Sequence, residues 1–392
     1  MTDIVHGLTY RSGWEPLLPR WTRTVDHPFL LAIFALFFIG ILLSIVATPP
    51  LAERVSSSGS SVYVIKHVVY GSFALALMFV VSLINPVNAR RLSLGLFGIF
   101  FVSLLLLPLF GSDYGKGAVR WYSLGFGGIQ PSEFLKPCFI MACTWLIAGS
   151  QQSGSRWGYL ISFLITVFIG VMLMMQPDFA QTILYIFGWS VVYFVSGAAL
   201  WPLLFLAAAG VVFAVYAYNS FEHIAHRITL FTEGCESPNC QTSIAVDAIQ
   251  QGGQFGKGIA QGTEKWHLAD GHTDFIIAVA AEELGFIAVV AIIALFAFVC
   301  LRAIALVKKA RDPFIRIAGT GLAAMFSIQA FVHFAVAVSL LPTTGLTLPL
   351  ISYGGSSMVA TGLTLGLLLV LIREAKEQQD EVAGLNAQSG RI

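Results

Sequence analysis

The side chains best suited to chemistry gather where apolar runs meet polar loops. Asp274 stands in His272-Thr273-Asp274-Phe275, between a long polar stretch and a long apolar one. A carboxylate there reads first as a helix cap or first-turn acid, which the helix dipole favours. It also falls on the same side of the chain as Asp270, His272, Lys257 and Arg120. Together these supply a base and several cations, which suits proton abstraction beside an anionic phosphate group. Glu133 and Lys136 are spaced i, i+3, so they share one helical face, directly after the loop that carries Lys116 and Arg120. They read either as an internal ion pair or as a cation presented to an anionic headgroup. Glu282 and Glu283 sit inside an apolar run with no basic neighbour in it, and must find partners on other elements or line a wet cavity. Asp178, after Gln176-Pro177, reads as a turn and cap residue. Lys66 and His67 read as interfacial anchors, the lysine by extending its stem to the headgroups.

The elements that must position these groups are membrane spans. The 392 residues are 57% hydrophobic and 11% charged, with a mean hydropathy of +0.80. A soluble domain carries about a quarter charged residues. The near balance of 22 basic and 21 acidic side chains gives no basic surface for nucleic acid. The fold class expected is therefore an all-α polytopic membrane protein. Ten apolar runs are long enough to cross the hydrocarbon, near residues 28–47, 61–84, 92–110, 132–149, 157–175, 179–197, 200–218, 274–301, 315–341 and 355–373. The first is of spanning length, so it is expected to be retained and not cleaved. Arg11, Arg20, Arg23, Arg90, Arg91, Arg156, Arg302, Lys308, Lys309, Arg311, Arg316, Arg373, Lys376 and Arg391 lie on one side, against Arg54, Lys116, Arg120, Arg227, Lys257 and Lys265 on the other. That bias places both termini in the cytoplasm.

This reading divides the chain into an N-terminal tail (1–27), a ten-helix transmembrane domain (28–373) and a C-terminal tail (374–392) whose mixed polar composition suggests disorder. Three outer segments are expected: 111–131, 342–354, and the large extracytoplasmic loop 219–273 between the seventh and eighth spans. The large loop is rich in glycine and reads as short helices and turns over the bundle mouth. Residues 342–354 read as irregular backbone lining a cavity. Cys138, Cys143 and Cys300 fall in apolar runs and read as small buried residues. Cys235 and Cys240 lie together in the large outer loop, where disulfides persist, and are expected to pair. On residues alone, two classes fit: an enzyme acting on a lipid-linked, phosphate-bearing substrate, or a transporter whose buried charges line a path.

Several strings occur in one order: KGAVRW at 116–121, QPSEFLKP at 130–137, QPDFAQT at 176–182, GGQFGKGIAQG at 252–262, HTDFIIAVAAEELG at 272–285 and LPTTGLTLPLISYGGSS at 341–357. The set resembles the SEDS family of peptidoglycan glycan polymerases, from the first apolar run to the last. The resemblance implies a ten-span fold and an enzyme that joins disaccharide units from lipid II outside the plasma membrane. It assigns catalysis to Asp274, matches Glu133 and Lys136 to the family's Glu and Lys, and matches Arg120 and Trp121 to its Arg-Trp pair. It also implies a class B penicillin-binding protein and other division proteins as partners. Gly345-Leu346-Thr347-Leu348-Pro349 resembles the division branch more than the elongation branch. Departures occur at Ala269, Asp270, His333, Ala337 and Thr344, and leave Asp274 untouched.

The mechanism implied is a single inverting displacement. Asp274 takes the proton from the 4-hydroxyl of the incoming sugar, and undecaprenyl pyrophosphate leaves from the growing strand. Arg120, Lys136 and Lys257, with His272 and Trp121 nearby, are expected at the headgroup and diphosphate. A divalent cation (Mg or Mn) would share that charge, although the sequence identifies no ligand set for it. The alternatives are a lipid II flippase with Glu133, Lys136, Glu282 and Glu283 along its path, or the elongation-type polymerase.

Overall fold

The computed structural model describes residues 17–55, 61–112, 119–123, 128–220, 229 and 240–389. Helix α1 (Leu17–Thr24) leads into α2 (His27–Val55), α3 (Ser61–Leu83) and α4 (Pro86–Phe110). Strands β1 (Tyr122–Ser123) and β2 (Gly128–Ile129) form an antiparallel hairpin that pairs Tyr122 with Ile129. Next come α5 (Pro131–Ser153), α6 (Trp157–Met175), α7 (Phe179–Val195) and α8 (Trp201–Ser220). Helix α9 (Gln241–Gly252) and a 3-10 turn (Glu264–Trp266) precede α10 (Ile276–Val307), α11 (Pro313–Ala337) and α12 (Gly355–Ser389).

Local sequence explains where these helices begin. Asn85, Asp178 and Asp312 cap α4, α7 and α11, each side chain accepting from a backbone N–H of the first turn. Pro86, Pro131 and Pro313 sit at the first helical positions, where no amide hydrogen is needed. Gly154 ends α5 in the left-handed conformation, at φ 66°.

Helix α12 is the axis of the bundle. Within Gly355–Glu381, 94% of its most apolar window is buried by protein, against 17% for α4 at the periphery. It packs most extensively on α3, and also on α5, α10 and α11. Glycines allow that approach: a Cβ on Gly362 would stand 2.3 Å from the Ala74 carbonyl oxygen. Small residues at helix crossings do this generally in membranes, where packing and not hydrophobic exclusion holds helices together. Outward-facing Phe38, Val69, Ile99, Leu109 and Phe168 are exposed, an apolar perimeter suited to lipid.

All ten expected runs coincide with helices. Among the described residues, seven helices are both long and apolar enough to cross a bilayer: α2, α3, α4, α6, α10, α11 and α12. Helices α7 and α8 offer only shorter apolar lengths, and α5 carries Glu133, Lys136 and a polar C-terminal turn.

Two expectations are corrected. The segment after Arg373 is not irregular, because α12 continues as one helix to Ser389. Its first turns are tied down: Arg20 pairs with Glu377 at 2.5 Å, and Arg373 donates to Thr24 at 2.9 Å and to the Ser82 carbonyl. His67 is not an interfacial anchor either. It is 1% exposed and stacks parallel to Phe37 at 6.3 Å, while Lys66 beside it is exposed.

Candidate functional site

The first turn of α5 starts a continuous polar network. Pro131 fixes that helix start, so Glu133 and Lys136 fall on its inward face, where both are buried. Lys136 Nζ lies 2.9 Å from Glu133 Oε2 and donates to Gln329 Oε1 on α11 at 2.9 Å. Gln181 on α7 donates to the other oxygen of Glu133. Asp178 caps the same helix by accepting from the Gln181 amide at 3.3 Å, and accepts from the Gln130 side chain at 3.4 Å. Arg120 closes the outer end. Its guanidinium donates to the carbonyls of Gln176 and Pro177 at 2.8 and 2.6 Å and lies 3.9 Å from Asp178 Oδ2. Such a network compensates groups whose burial would otherwise cost several kcal/mol.

A small cavity of about 20 Å³ opens beside this network, lined by Glu133, Lys136, Gln329, Pro349, Thr361 and Thr364 with apolar neighbours. Its lining includes part of 342–354, which is irregular backbone as expected. Gln329 donates to the Thr347 carbonyl at 2.9 Å, and His333 Nδ1 lies 2.9 Å from the Leu346 carbonyl. The same segment reaches the loop before α10. Ser352 Oγ donates to the Thr273 carbonyl at 2.7 Å, and the Tyr353 amide donates to the His272 carbonyl at 3.1 Å. Asp274 is thereby held between a turn of its own, its amide donating to the Asp270 carbonyl at 3.0 Å, and the segment that roofs the cavity.

The 257–265 loop is fastened to α10 by Glu282 and Glu283. Glu282 accepts from the amides of Thr263, Glu264 and Lys265 at 2.6, 2.8 and 3.0 Å, and from Lys257 Nζ at 3.3 Å. Glu283 takes Lys265 Nζ at 2.6 Å and the Gly262 amide at 3.1 Å. A Cβ on Gly262 would lie 2.7 Å from both carboxylates, so only glycine lets the loop close on them. Helix α10 kinks next to this contact, where Gly285 adopts φ 85°, ψ 173°.

Near the site, Asp178 and Tyr353, both outside the spans, are shifted in pKa. Burial pushes the Asp178 carboxyl above its usual range, with Arg120 and the Gln181 amide opposing it. Burial, with Tyr70 and Tyr63 adding, pushes the Tyr353 phenol up to about 12, so it stays neutral in physiological conditions.

The expected site residues therefore fall into groups. Arg120, Glu133 and Lys136 belong to one network, and each expected cation has a partner within the protein. His272 and Asp274 share the pinned loop. Lys257 is committed to Glu282, and Glu283 to Lys265. Trp121 forms a bridge to Ser112 beside the hairpin, its carbonyl accepting from the Ser112 amide at 2.8 Å. Lys116 and Cys235 lie outside the described residues, and so does the expected Cys235–Cys240 pairing. Gln181, Gln329, Lys265, Ser352 and Tyr353 were not singled out by sequence; a buried glutamine carries no signal until its charged neighbours are placed. Among the described residues no three His, Cys, Asp or Glu side chains converge as a metal would require.

The profile of the FtsW/RodA/SpoVE family, described as cell cycle proteins, matches residues 27–377. The chain belongs to this family. It is 34% identical over 354 residues to a probable peptidoglycan glycosyltransferase FtsW of Caulobacter vibrioides, covering 90% of each chain. A protein of the same name from Alkalilimnicola ehrlichii is 31% identical over the full length of both. Among solved structures, a chain of a peptidoglycan synthase complex that coordinates polymerization and crosslinking superposes with a TM-score of 0.74 at 26% identity, covering 90% of this chain and 98% of that one. The rod shape determining protein RodA of Thermus thermophilus superposes at 0.64 with 27% identity, covering 89% and 97%. These FtsW/RodA/SpoVE relatives span the whole bundle, including α5, α10 and the 342–354 segment that build the site.

Proposed function

We propose that this chain is a peptidoglycan glycosyltransferase of the division type, polymerising lipid II into glycan strands at the outer face of the plasma membrane. The observation that carries the reading is Asp274, a half-buried carboxylate at the outer end of α10, pinned from behind by Ser352 and Tyr353 in a chain whose relatives bear that name. All ten long helices are read as spans, with both termini cytoplasmic and residues 28–373 as the working domain. Helix α12 continues from that domain into the cytoplasm.

Asp274 accepts the proton of the acceptor 4-hydroxyl as the oxygen attacks the anomeric carbon of the lipid-linked strand. The bond to the diphosphate breaks as the β-1,4 bond forms, and undecaprenyl pyrophosphate leaves with the electron pair. One displacement inverts the configuration and needs no enzyme nucleophile. Arg120 and Lys136 stand in one network with Asp178 and Glu133, and their N–H groups are the donors read as stabilising the departing diphosphate. A class B penicillin-binding protein is the partner that crosslinks the product, a reading supported by the likeness to a synthase complex. The flippase reading loses half of its polar path, because Glu282 and Glu283 are consumed by the 257–265 loop.

The test compares wild type with Asp274→Asn at matched expression, measuring strand formation from labelled lipid II by purified protein with its partner. A general base contributes about 10²–10⁴-fold, so polymerisation by the variant is expected to fall by that order with the fold retained. Near wild-type synthesis would remove Asp274 from the role.

A further inference from the structure

Three rings from three elements meet beside Asp274. Tyr63 comes from the first turn of α3, His272 stands two residues before Asp274, and Tyr353 follows Ser352 in the roof segment. The ring centroids of Tyr63 and Tyr353 are 5.6 Å apart at 79°, those of Tyr63 and His272 6.0 Å apart at 60°, and those of His272 and Tyr353 6.0 Å apart at 41°. The three pairs close a triangle of tilted rings. Each ring is half-buried, unlike the core aromatics Trp189, Tyr185 and Phe139, which are almost fully enclosed. Lys66 Nζ lies 5.9 Å from the Tyr63 ring centre, adding a cation at the rim.

The glycosyl transfer proposed above needs more at this place than a base. A carboxylate can hold one hydroxyl, but in-line attack also requires the orientation of the whole sugar ring. A pyranose presents C–H groups on its faces and hydroxyls around its edge. A half-buried cluster of rings with phenol and imidazole groups at the margin matches both, because aromatic side chains combine an apolar body with a polar tip. The cluster is also rigidly registered to the base, since the Tyr353 amide bonds the His272 carbonyl and Ser352 bonds the Thr273 carbonyl.

The geometry points to Tyr63, His272 and Tyr353 as a saccharide-binding platform that holds the acceptor sugar beside Asp274. The role rests on the glycosyltransferase reading. It assigns to α3 a part in substrate binding.

The test measures initial polymerisation rates against labelled lipid II concentration for the full chain with its transpeptidase partner, using wild type, Tyr63→Leu and Tyr63→Phe. Loss of an aromatic contact made equally in the ground and transition states raises KM and leaves kcat alone. Tyr63→Leu is expected to raise KM roughly two- to tenfold, and Tyr63→Phe, which keeps the ring face and loses only the phenol, to raise it less. An unchanged KM in Tyr63→Leu overturns the platform and leaves the polymerase reading standing. A fall in kcat with KM unchanged also overturns it, making the ring a clasp for the Asp274 loop. A wild type that makes no polymer overturns the glycosyltransferase reading and the platform with it. Should Tyr63→Leu fail to fold, Tyr353→Leu against Tyr353→Phe provides the same comparison with the same expected outcomes.

Discussion

Ser352 donates its hydroxyl to the Thr273 carbonyl at 2.7 Å, one residue before Asp274. The bond joins the 342–354 segment, part of which lines the cavity, to the loop that carries Asp274, the proposed base. Ser352→Ala removes it while the neighbouring Tyr353–His272 backbone bond remains. One such bond is worth about 1 kcal/mol, so kcat is expected to fall roughly fivefold with KM and thermal stability little changed. Steady-state kinetics on lipid II check it, and unaltered turnover would show that the loop holds Asp274 without Ser352.

Much of the bundle was legible because apolar run length is a strong signal, and helices coincide with all ten runs. The cap residue Asp178 was legible too, since an acid after Gln-Pro starts a helix. What escaped were relationships between distant residues. Glu282 and Glu283 announced that they needed partners, but sequence could not say that Lys257, Lys265 and three successive loop amides would supply them. The end of α12 was misread for a different reason. Residues 374–389 were weighed by polarity, whereas their Glu, Ala, Lys and Gln content is that of a good helix former. His67 was read from the end of an apolar run, but helix rotation turns it inward against Phe37.

The buried pair Glu133–Lys136 gives a test of whether charge or only packing is needed there. Removing one member leaves the other uncompensated, which costs about 3–5 kcal/mol for buried pairs in general. Lys136→Met and Glu133→Leu are each expected to lower the unfolding midpoint sharply. The double variant, having no orphaned charge, is expected to be more stable than either single one. Thermal unfolding in detergent measures this, and a double variant as unstable as the sum of the singles would show that the two side chains do not act as a pair.

Gly262 is predicted to be intolerant of even one added carbon. Alanine there would place its Cβ 2.7 Å from the carboxylates of both Glu282 and Glu283, and these cannot retreat without losing the amides of 262–265. Overpacking of this kind costs about 1–3 kcal/mol. The expected result for Gly262→Ala is release of the 253–265 loop, read as faster hydrogen exchange at Thr263, Glu264 and Lys265 with the α12 amides unchanged. Wild-type protection in that loop would show that the carboxylates move aside freely.

Acid should loosen the contact between α2 and α10 through Asp26. Burial there raises the carboxyl's pKa, but Arg302 at 2.8 Å and the Phe29 amide together outweigh it, so the folded value lies below the ordinary 3.8. A depressed carboxylate contributes stability that is fully present above the unfolded value. That contribution is lost as the pH falls below 3.8 toward the folded value. Arg302 is 40% exposed, so solvent screening keeps the effect modest. The measurement is the difference in unfolding midpoint between wild type and Asp26→Asn, taken at pH 6 and again at about pH 3. Wild type is expected to lead at pH 6 and to lose much of that lead at the lower value. A difference that stays constant would mean that Asp26 holds α2 and α10 together by shape and hydrogen bonding alone.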